Sequence, residues 1–434
     1  MSDLPSAGRT LRTVTLGCRV NQYETEYLRQ GFQRLGYRDA VDGEPVDLCL
    51  VNTCTVTAES EAKSRKAIRR LAKLHPRAEI IVLGCYVARA ADEAAALPGV
   101  AEVVADKQDL PDLLLRRGLT DVPTGIDRFD DRRRAYVKVQ DGCPMRCSYC
   151  IVPLVRRHIA SRPVGEVLAE VRRLVEHGHR EIVLTGIHLG CYGRGANGAA
   201  APGSLATLVE QISDLPGDFR VRLSSVEASE VAPELIALMA ERPDRICPHL
   251  HLPLQSGSDS VLKRMNRRWP AQRFIERCRE IQASLDRPAL TTDVIVGFPG
   301  ESDTDFEATC RVVEEVGFSK VHVFRFSPRD GTAAAQMPQQ VMNRTAQRRA
   351  SQLNKLGCTL RAQYLESLLG LALRPLIESP VANRAGFMMG VSERHATVVV
   401  PGGRELIGQF ASAPVERIEG GRLWATPPGL PSAR

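Results

Sequence analysis

Three cysteines, Cys143, Cys147 and Cys150, stand four and then three residues apart in the stretch Asp141-Gly142-Cys143-Pro144-Met145-Arg146-Cys147-Ser148-Tyr149-Cys150. Glycine and proline mark a loop, so the three thiols can converge on one metal centre. A structural zinc site closes its tetrahedron with four protein ligands. A cubane iron–sulfur cluster held by three cysteines leaves one iron open. Three thiols fit the open cluster. Zinc with His158 as a fourth ligand is an alternative, and so is a set of unliganded cysteines packed as small hydrophobes. Ala135–Val139, just before the loop, reads as a strand, which places the thiols at a strand's carboxyl end.

A chain of 434 residues exceeds one ordinary core, and two or three domains are expected. Its 43% hydrophobic and 25% charged residues suit a soluble globular protein. No apolar run is long enough to span a bilayer, and Met1 to Arg12 lacks the apolar core of a signal peptide. Twelve cysteines without an export signal point to a reducing cytoplasm, where thiols serve metals or catalysis more often than disulfides. The net charge of +7 suits a polyanionic partner.

Residues 10–118 alternate strands (Leu11–Leu16, Asp47–Val51, Glu79–Leu83, Val100–Val104) with helices (Tyr27 to Leu35, Ala58–His75, Ala88–Leu97, Leu110–Arg116). That alternation implies an open parallel α/β domain. Cys18, Cys54 and Cys85 each fall just past a strand's carboxyl end, the edge where open α/β sheets bind ligands. Three cysteines distant in sequence can thus meet at one rim and form a second metal site. Cys49 lies inside its strand and reads as core. In the second helix, Lys63, Arg65, Lys66, Arg69, Arg70 and Lys73 read as a solvated face opposite Ala62, Ala67, Ile68 and Leu71.

Residues 131–365 carry six further strands: Ala135–Val139, Glu181–Thr185, Arg220–Val226, Pro248–Leu254, Thr291–Gly297 and Lys320–Phe326. Helical patterns such as Val164–His177, Ala232–Met239, Ala271–Leu285 and Asp303–Val316 lie between them. Six β/α units suit a partial (β/α)6 barrel with chemistry at the strands' C-terminal ends. Small and polar groups recur there, in Thr185-Gly186-Ile187-His188, Ser224-Ser225-Val226-Glu227, Leu254-Gln255-Ser256-Gly257 and Gly297-Phe298-Pro299-Gly300-Glu301. His188 reads as a packed or hydrogen-bonded histidine. Gly331 to Leu365 holds no acidic residue; a helix with Leu353, Leu356, Leu360 and Tyr364 inward presents Arg344, Arg348, Arg349, Lys355 and Arg361 outward, a face suited to phosphates. Residues 366–426 read as a small C-terminal β-barrel with strands Leu371–Ile377, Phe387–Val391, Ala396–Val400 and Glu405–Phe410, and Pro427 to Arg434 as a loose tail.

Several motifs together resemble the methylthiotransferase family of radical S-adenosylmethionine enzymes, nearly end to end. They are Thr15-Leu16-Gly17-Cys18-Arg19-Val20-Asn21-Gln22-Tyr23-Glu24, Val51-Asn52-Thr53-Cys54, Gly84-Cys85, the Cys143–Cys150 loop with Ile151-Val152-Pro153, His251-Leu252-Pro253-Leu254-Gln255-Ser256-Gly257-Ser258, and Asp293-Val294-Ile295-Val296-Gly297-Phe298-Pro299-Gly300-Glu301. The resemblance implies a radical-SAM barrel, a TRAM-like RNA-binding C-terminal module and two [4Fe–4S] clusters. One is the radical-generating cluster on Cys143, Cys147 and Cys150. The other is an auxiliary, sulfur-carrying cluster on Cys18, Cys54 and Cys85. It also implies S-adenosylmethionine near Tyr149, Gly186, Ser225 and Gln255, a tRNA partner recognised at its anticodon stem-loop, a sulfur source, and an electron donor such as a flavodoxin or ferredoxin.

Arg19-Val20-Asn21-Gln22-Tyr23-Glu24 and Ser327-Pro328-Arg329 with Gly331-Thr332 resemble the branch acting on N6-threonylcarbamoyladenosine. The other branches act on isopentenyladenosine or on a ribosomal-protein aspartate. The chain departs from the family pattern at Arg157, at Ala160-Ser161-Arg162 and at Asp330. A rival of another class is a non-catalytic RNA-binding protein with structural zinc.

Overall fold

The computed structural model describes residues 8–130, 132–194 and 203–425; the tail read as loose, Pro427 to Arg434, lies outside them. The chain forms two compact units. The first takes the chain up to Asp127 with Gln140–Arg162 and Ser327–Ala335; the second takes Arg128–Val139, Pro163–Phe326 and Gln336–Arg434. Among the described residues no helix is long and apolar enough to cross a membrane.

The first unit is built on β1 (Thr10–Thr15), α1 (Arg19–Arg34), β2 (Arg38–Asp39), β3 (Leu48–Thr53), α2 (Ala58–Leu74), β4 (Glu79–Gly84), α3 (Cys85–Arg89), α4 (Ala91–Ala95), β5 (Val100–Val104) and α5 (Leu110–Arg116). Its strands pair in parallel in the order β2-β1-β3-β4-β5, as the alternating pattern predicts. β3 and β4 are central, and Leu48–Thr53 is buried throughout, which suits a strand covered on both faces. Cys49 is fully buried there with Val51, Ile68 and Val82. The helix expected over Ala88–Leu97 is two short helices. Ala90, at φ −139° and ψ 60°, breaks them, and the break lets Tyr86, Val87, Ala94 and Leu97 all reach one core. A capping box at Thr57 and Ser60 starts α2. Its inward stripe is Glu61, Ser64, Ile68 and Leu71, with Ala62 exposed, so the expected apolar stripe holds only in part.

The second unit begins with β6 (Arg134–Asp141), whose last residues pass into the first unit, where α6 (Val152–Val155) and β7 (Ala160–Ser161) follow. Then come α7 (Val164–Glu176), β8 (Glu181–Gly186), α8 (Leu205–Ser213), β9 (Arg220–Leu223), α9 (Pro233–Glu241), β10 (His249–His251), α10 (Asp259–Arg264), α11 (Ala271–Ser284), β11 (Ala289–Val296), α12 (Asp303–Val316), β12 (Lys320–Arg325) and α13 (Asn343–Ser367). β6, β8 and β9 neighbour one another, as do β10, β11 and β12; parallel bridges Val221 to Ile246 and Ser225 to His251 join the two sets. Six strands in chain order with intervening helices make the open β/α barrel that the sequence predicts. Pro248 and Pro253 flank β10, which is shorter than expected because proline offers no ladder donor.

On α13, Arg344, Arg348 and Lys355 are exposed as expected, Arg361 is only half-exposed, and Arg349 is buried. It is 3% exposed and pairs at 2.7 Å with Glu301, also buried, so an ion-pair partner draws it inward. The C-terminal strands are β13 (Ala372–Leu373), β14 (Leu376–Pro380), β15 (Phe387–Val391), β16 (Thr397–Pro401), β17 (Ala413–Glu419) and β18 (Arg422–Ala425), in the order β13-β17-β18-β16-β15-β14. Only Arg374 and Pro375 separate the two edge strands, which curls the sheet round on itself. The strand expected at Glu405–Phe410 is a single 3-10 turn, Arg404–Leu406, hemmed by Gly402, Gly403 and Gly408. The missing strands are β17 and β18, joined by Gly420 and Gly421, both at positive φ as a tight hairpin turn requires. Buried Arg220 and Arg222 share the carboxylate of Glu181 and donate to the carbonyls of Val391 and Ser392 in the C-terminal sheet.

Candidate metal centres

Both cysteine triplets belong to the first unit. Cys18 follows β1 and precedes α1, Cys54 follows β3, and Cys85 opens α3 directly after β4. Because β1, β3 and β4 are adjacent and parallel, their carboxyl ends form one rim. Cys18 is exposed, whereas Cys54 and Cys85 are buried. Burial pushes the Cys54 thiol up, and neighbouring Cys85 and Cys18 push the same way. Cys85 and Cys18 thus stand near enough to Cys54 to act on it.

The backbone around them is shaped for close approach. Gly17 has φ +104°, and a Cβ there would stand 3.1 Å from Cys54 Sγ. Gly84 has φ +107°, and a Cβ would meet Thr53 O at 2.3 Å. Only glycine fits either position. Asn21 knits the rim together. Its Nδ2 donates to Leu16 O (2.8 Å) and Thr53 O (3.0 Å), each one or two residues from a cysteine, and the Cys18 thiol donates to its Oδ1 at 3.8 Å.

Cys143, Cys147 and Cys150 lie half-buried in the loop after β6. Cys150 N donates to Cys147 O at 3.1 Å, which tightens the turn. Gly142, at φ +73°, has no room for a Cβ because His158 O would lie 2.3 Å away. His158, the alternative zinc ligand, places its ring nitrogen 3.1 Å from Asp106. Ala334 N donates to Ser148 O at 2.8 Å, so the segment from Ser327 braces this loop. The two triplets adjoin: Cys85 packs with Ile151, the residue after Cys150, and with Val155.

A buried polar cluster joins them as well. Arg156 Nη1 donates to Glu24 Oε1 (2.9 Å) and Asp141 Oδ1 (2.9 Å), and Nη2 donates to Asn21 Oδ1 (2.8 Å). Lys107 Nζ donates to Asn21 Oδ1 (3.1 Å) and Glu24 Oε2 (2.7 Å). Asp141 in turn accepts from Gly142 N at 2.8 Å. Sequence reasoning passed over Lys107, Arg156 and Asp141. No local signal marks the first two: Lys107 lies in the polar run Asp106-Lys107-Gln108-Asp109, and Arg156 stands beside Arg157 and His158.

Two triplets of soft sulfur donors suit iron–sulfur clusters better than hard cations. Arg156 Nε is a buried donor without a hydrogen-bond partner, in the cluster that borders the rim through Asn21. The residues present fit the group.

The expected S-adenosylmethionine residues are placed as follows. Tyr149 is half-buried in the cysteine loop. In the second unit, Gly186 ends β8, Ser225 is exposed just past β9 and Gln255 follows β10, so these three do share the barrel's C-terminal edge. Gln255 has φ +67°, held by its N donating to Asp293 O and its O accepting from Ile295 N. His188 Nε2 donates to Glu230 at 2.6 Å, the hydrogen-bonded histidine that was expected; Cys191 Sγ lies 3.9 Å from the same carboxylate.

Residues 137–313 match the Radical SAM superfamily, and residues 10–106 match a family described as uncharacterized, UPF0004. The chain is 39% identical to the threonylcarbamoyladenosine tRNA methylthiotransferase MtaB of Chlamydia pneumoniae, over 94% of this chain and 96% of that one. It is 36% identical to the enzyme of the same name from Bacillus subtilis, over 92% of each chain. It is 30% identical to the tRNA-2-methylthio-N(6)-dimethylallyladenosine synthase of Moorella thermoacetica, over 95% of this chain and 97% of that one. Among solved structures, the radical S-adenosylmethionine methyltransferase TsrM of Kitasatospora setae shares the fold, with a TM-score of 0.54 and 14% identity over 76% of this chain and 77% of that one.

Proposed function

Since the chain belongs to the radical S-adenosylmethionine methylthiotransferase family, we propose that it replaces the C2 hydrogen of N6-threonylcarbamoyladenosine in tRNA with a methylthio group. The observation that carries this reading is the pair of cysteine triplets folded into one unit, where Cys85 packs on the residue that follows Cys150. A radical-generating site alone would serve many reactions. A second three-thiol site beside it suits sulfur insertion.

Cys143, Cys147 and Cys150 would hold one [4Fe–4S] cluster, and Cys18, Cys54 and Cys85 the other. When bound, these groups supply one-electron cleavage of S-adenosylmethionine and the sulfur to be inserted. Gly17 keeps a side chain away from the Cys54 thiol, and Gly84 and Gly142, each next to a cysteine, let the backbone pass close to Thr53 and His158. Gly186, Ser225 and Gln255 offer backbone and polar groups for the cofactor at the strand ends of the second unit. Exposed Arg344, Arg348 and Lys355 supply cations for phosphates of the anticodon stem-loop. In this reading residues 10–118 hold the auxiliary site, 131–365 the radical chemistry, and 366–426 an RNA-binding module of TRAM type. A flavodoxin or ferredoxin in the cytoplasm delivers the electron, and a separate donor renews the sulfur.

The higher identities to threonylcarbamoyladenosine enzymes, 39% and 36% against 30% for the dimethylallyladenosine enzyme, favour the first substrate. Nucleoside mass spectrometry of tRNA from cells with and without the gene tests this. Loss of the 2-methylthio derivative of threonylcarbamoyladenosine alone is expected. Loss of methylthio-isopentenyladenosine instead would reassign the substrate.

A further inference from the structure

Arg156 is 4% exposed, yet its guanidinium meets both halves of the metal-binding region. Towards the Cys18 rim it donates to Asn21 Oδ1, the oxygen that also accepts from the Cys18 thiol, and to Glu24. Towards the Cys143 loop it donates to both oxygens of Asp141, at 2.9 and 3.0 Å, and Asp141 holds the Gly142 amide next to Cys143. A path of hydrogen bonds thus runs from Leu16 O and Thr53 O, near Cys18 and Cys54, through Asn21, Arg156 and Asp141 to the residue beside Cys143. Val155, its chain neighbour, packs on Cys85, and Nε is a buried donor with no partner.

The charges in this cluster are two carboxylates, Glu24 and Asp141, against two cations, Lys107 and Arg156. The quartet is neutral by itself, although it borders three thiols that bind a cluster only as thiolates. Loss of Arg156 leaves Asp141 without that cation and the region more negative. Nearby negative charge opposes reduction of a cluster, since reduction adds a further electron in a low-dielectric setting. A bidentate guanidinium also fixes its partners in one geometry, as a lysine cannot.

We propose that Arg156 is a positioning residue for sulfur insertion, which locks the Cys18–Cys54–Cys85 site to the Cys143–Cys147–Cys150 loop and raises the reduction potential of the cluster on the first site. The proposal rests on the two-cluster reading given above. It assigns Arg156 two separable properties, its charge and its fork.

The charge is tested in full-length protein carrying Cys143→Ala, Cys147→Ala and Cys150→Ala, where iron analysis gives about four irons per chain on the remaining site. A redox titration followed by electron paramagnetic resonance then compares Arg156, Arg156→Gln and Arg156→Lys. Arg156→Gln shifts the potential downward, and Arg156→Lys keeps it. The fork is tested with both sites intact: Arg156→Lys lowers methylthio product per 5′-deoxyadenosine by about tenfold or more, because the sites lose their register. An unshifted potential in iron-loaded Arg156→Gln, or unchanged coupling in Arg156→Lys, overturns the proposal. A triple-cysteine variant without iron overturns the auxiliary-cluster assignment itself, and this proposal with it.

Discussion

The guanidinium of Arg329 is hydrogen-bonded to the carboxylate of Glu61, 268 residues earlier in the chain, inside the first unit. Their side chains are 7% and 4% exposed, and Arg89 holds the other carboxylate oxygen. Burial pushes Glu61 up, but Arg329 and Arg89 hold its carboxyl below the usual range. Thr55, next to Cys54, also accepts from Arg329 at 2.8 Å. Glu61 thus ties the Ser327-Pro328-Arg329 run to the rim.

Glu61→Ala leaves two arginines without their buried carboxylate, and breaking such a pair costs about 3–5 kcal/mol. Glu59, exposed on the same helix, serves as the control, and Glu59→Ala changes stability by less than about 0.5 kcal/mol. Denaturant unfolding of the metal-free chain measures both. Equal effects would show that the buried contact contributes nothing.

Gly84→Ala forces a Cβ against Thr53 O, at a φ that alanine rarely adopts. Iron per chain is expected to fall from about eight to about four, because only the rim site is disturbed. Gly165→Ala, with ordinary φ and open space, keeps the full iron content. Anaerobic purification followed by iron analysis distinguishes the two variants.

His179 gives the protein a defined acid sensitivity. Burial pushes it down to about 4, and its Nε2 accepts from Phe129 N at 2.9 Å, which requires the neutral ring. Below its unfolded value of about 6.5 the unfolded chain takes up a proton that the folded chain refuses, so stability falls with pH by up to about 1.4 kcal/mol per unit. The loss runs from about pH 6.5 to about 4, where the folded histidine also titrates. His179→Gln offers an oxygen acceptor that does not titrate, so its unfolding free energy is flatter across that window. An unchanged slope would contradict this.

Arg344 and Lys355 are exposed on α13. The double variant Arg344→Ala, Lys355→Ala binds tRNA more weakly, and the slope of log affinity against log salt falls by about one per lost phosphate contact. Filter binding over a salt series measures the slope. An unaltered slope would remove this helix from the RNA surface.

Periodicity and turn residues made the parallel sheet of the first unit, the six barrel strands and the strand-end cysteines legible in the sequence. Those features depend on local pattern, and Cys18, Cys54 and Cys85 followed from where strands stop. Arg349 was read as solvated because charge usually faces water, and Glu61 was not singled out; their partners, Glu301 and Arg329, lie far away in the chain and only folding supplies them. Arg156 was hidden for the same reason, since Glu24 is 132 residues distant. The C-terminal sheet was half legible: Gly420 and Gly421 mark a hairpin as clearly as any pair in the chain, but Glu405–Phe410 has a strand's composition without room for a strand's geometry.

The most direct test of the account is a single anaerobic reaction. Reconstituted enzyme, S-adenosylmethionine, a reductant and tRNA bearing threonylcarbamoyladenosine are combined, and the digested nucleosides are resolved by mass spectrometry. Wild-type protein is predicted to give the 2-methylthio derivative, and Cys54→Ala none. Product from Cys54→Ala, or none from iron-replete wild type, would contradict the account.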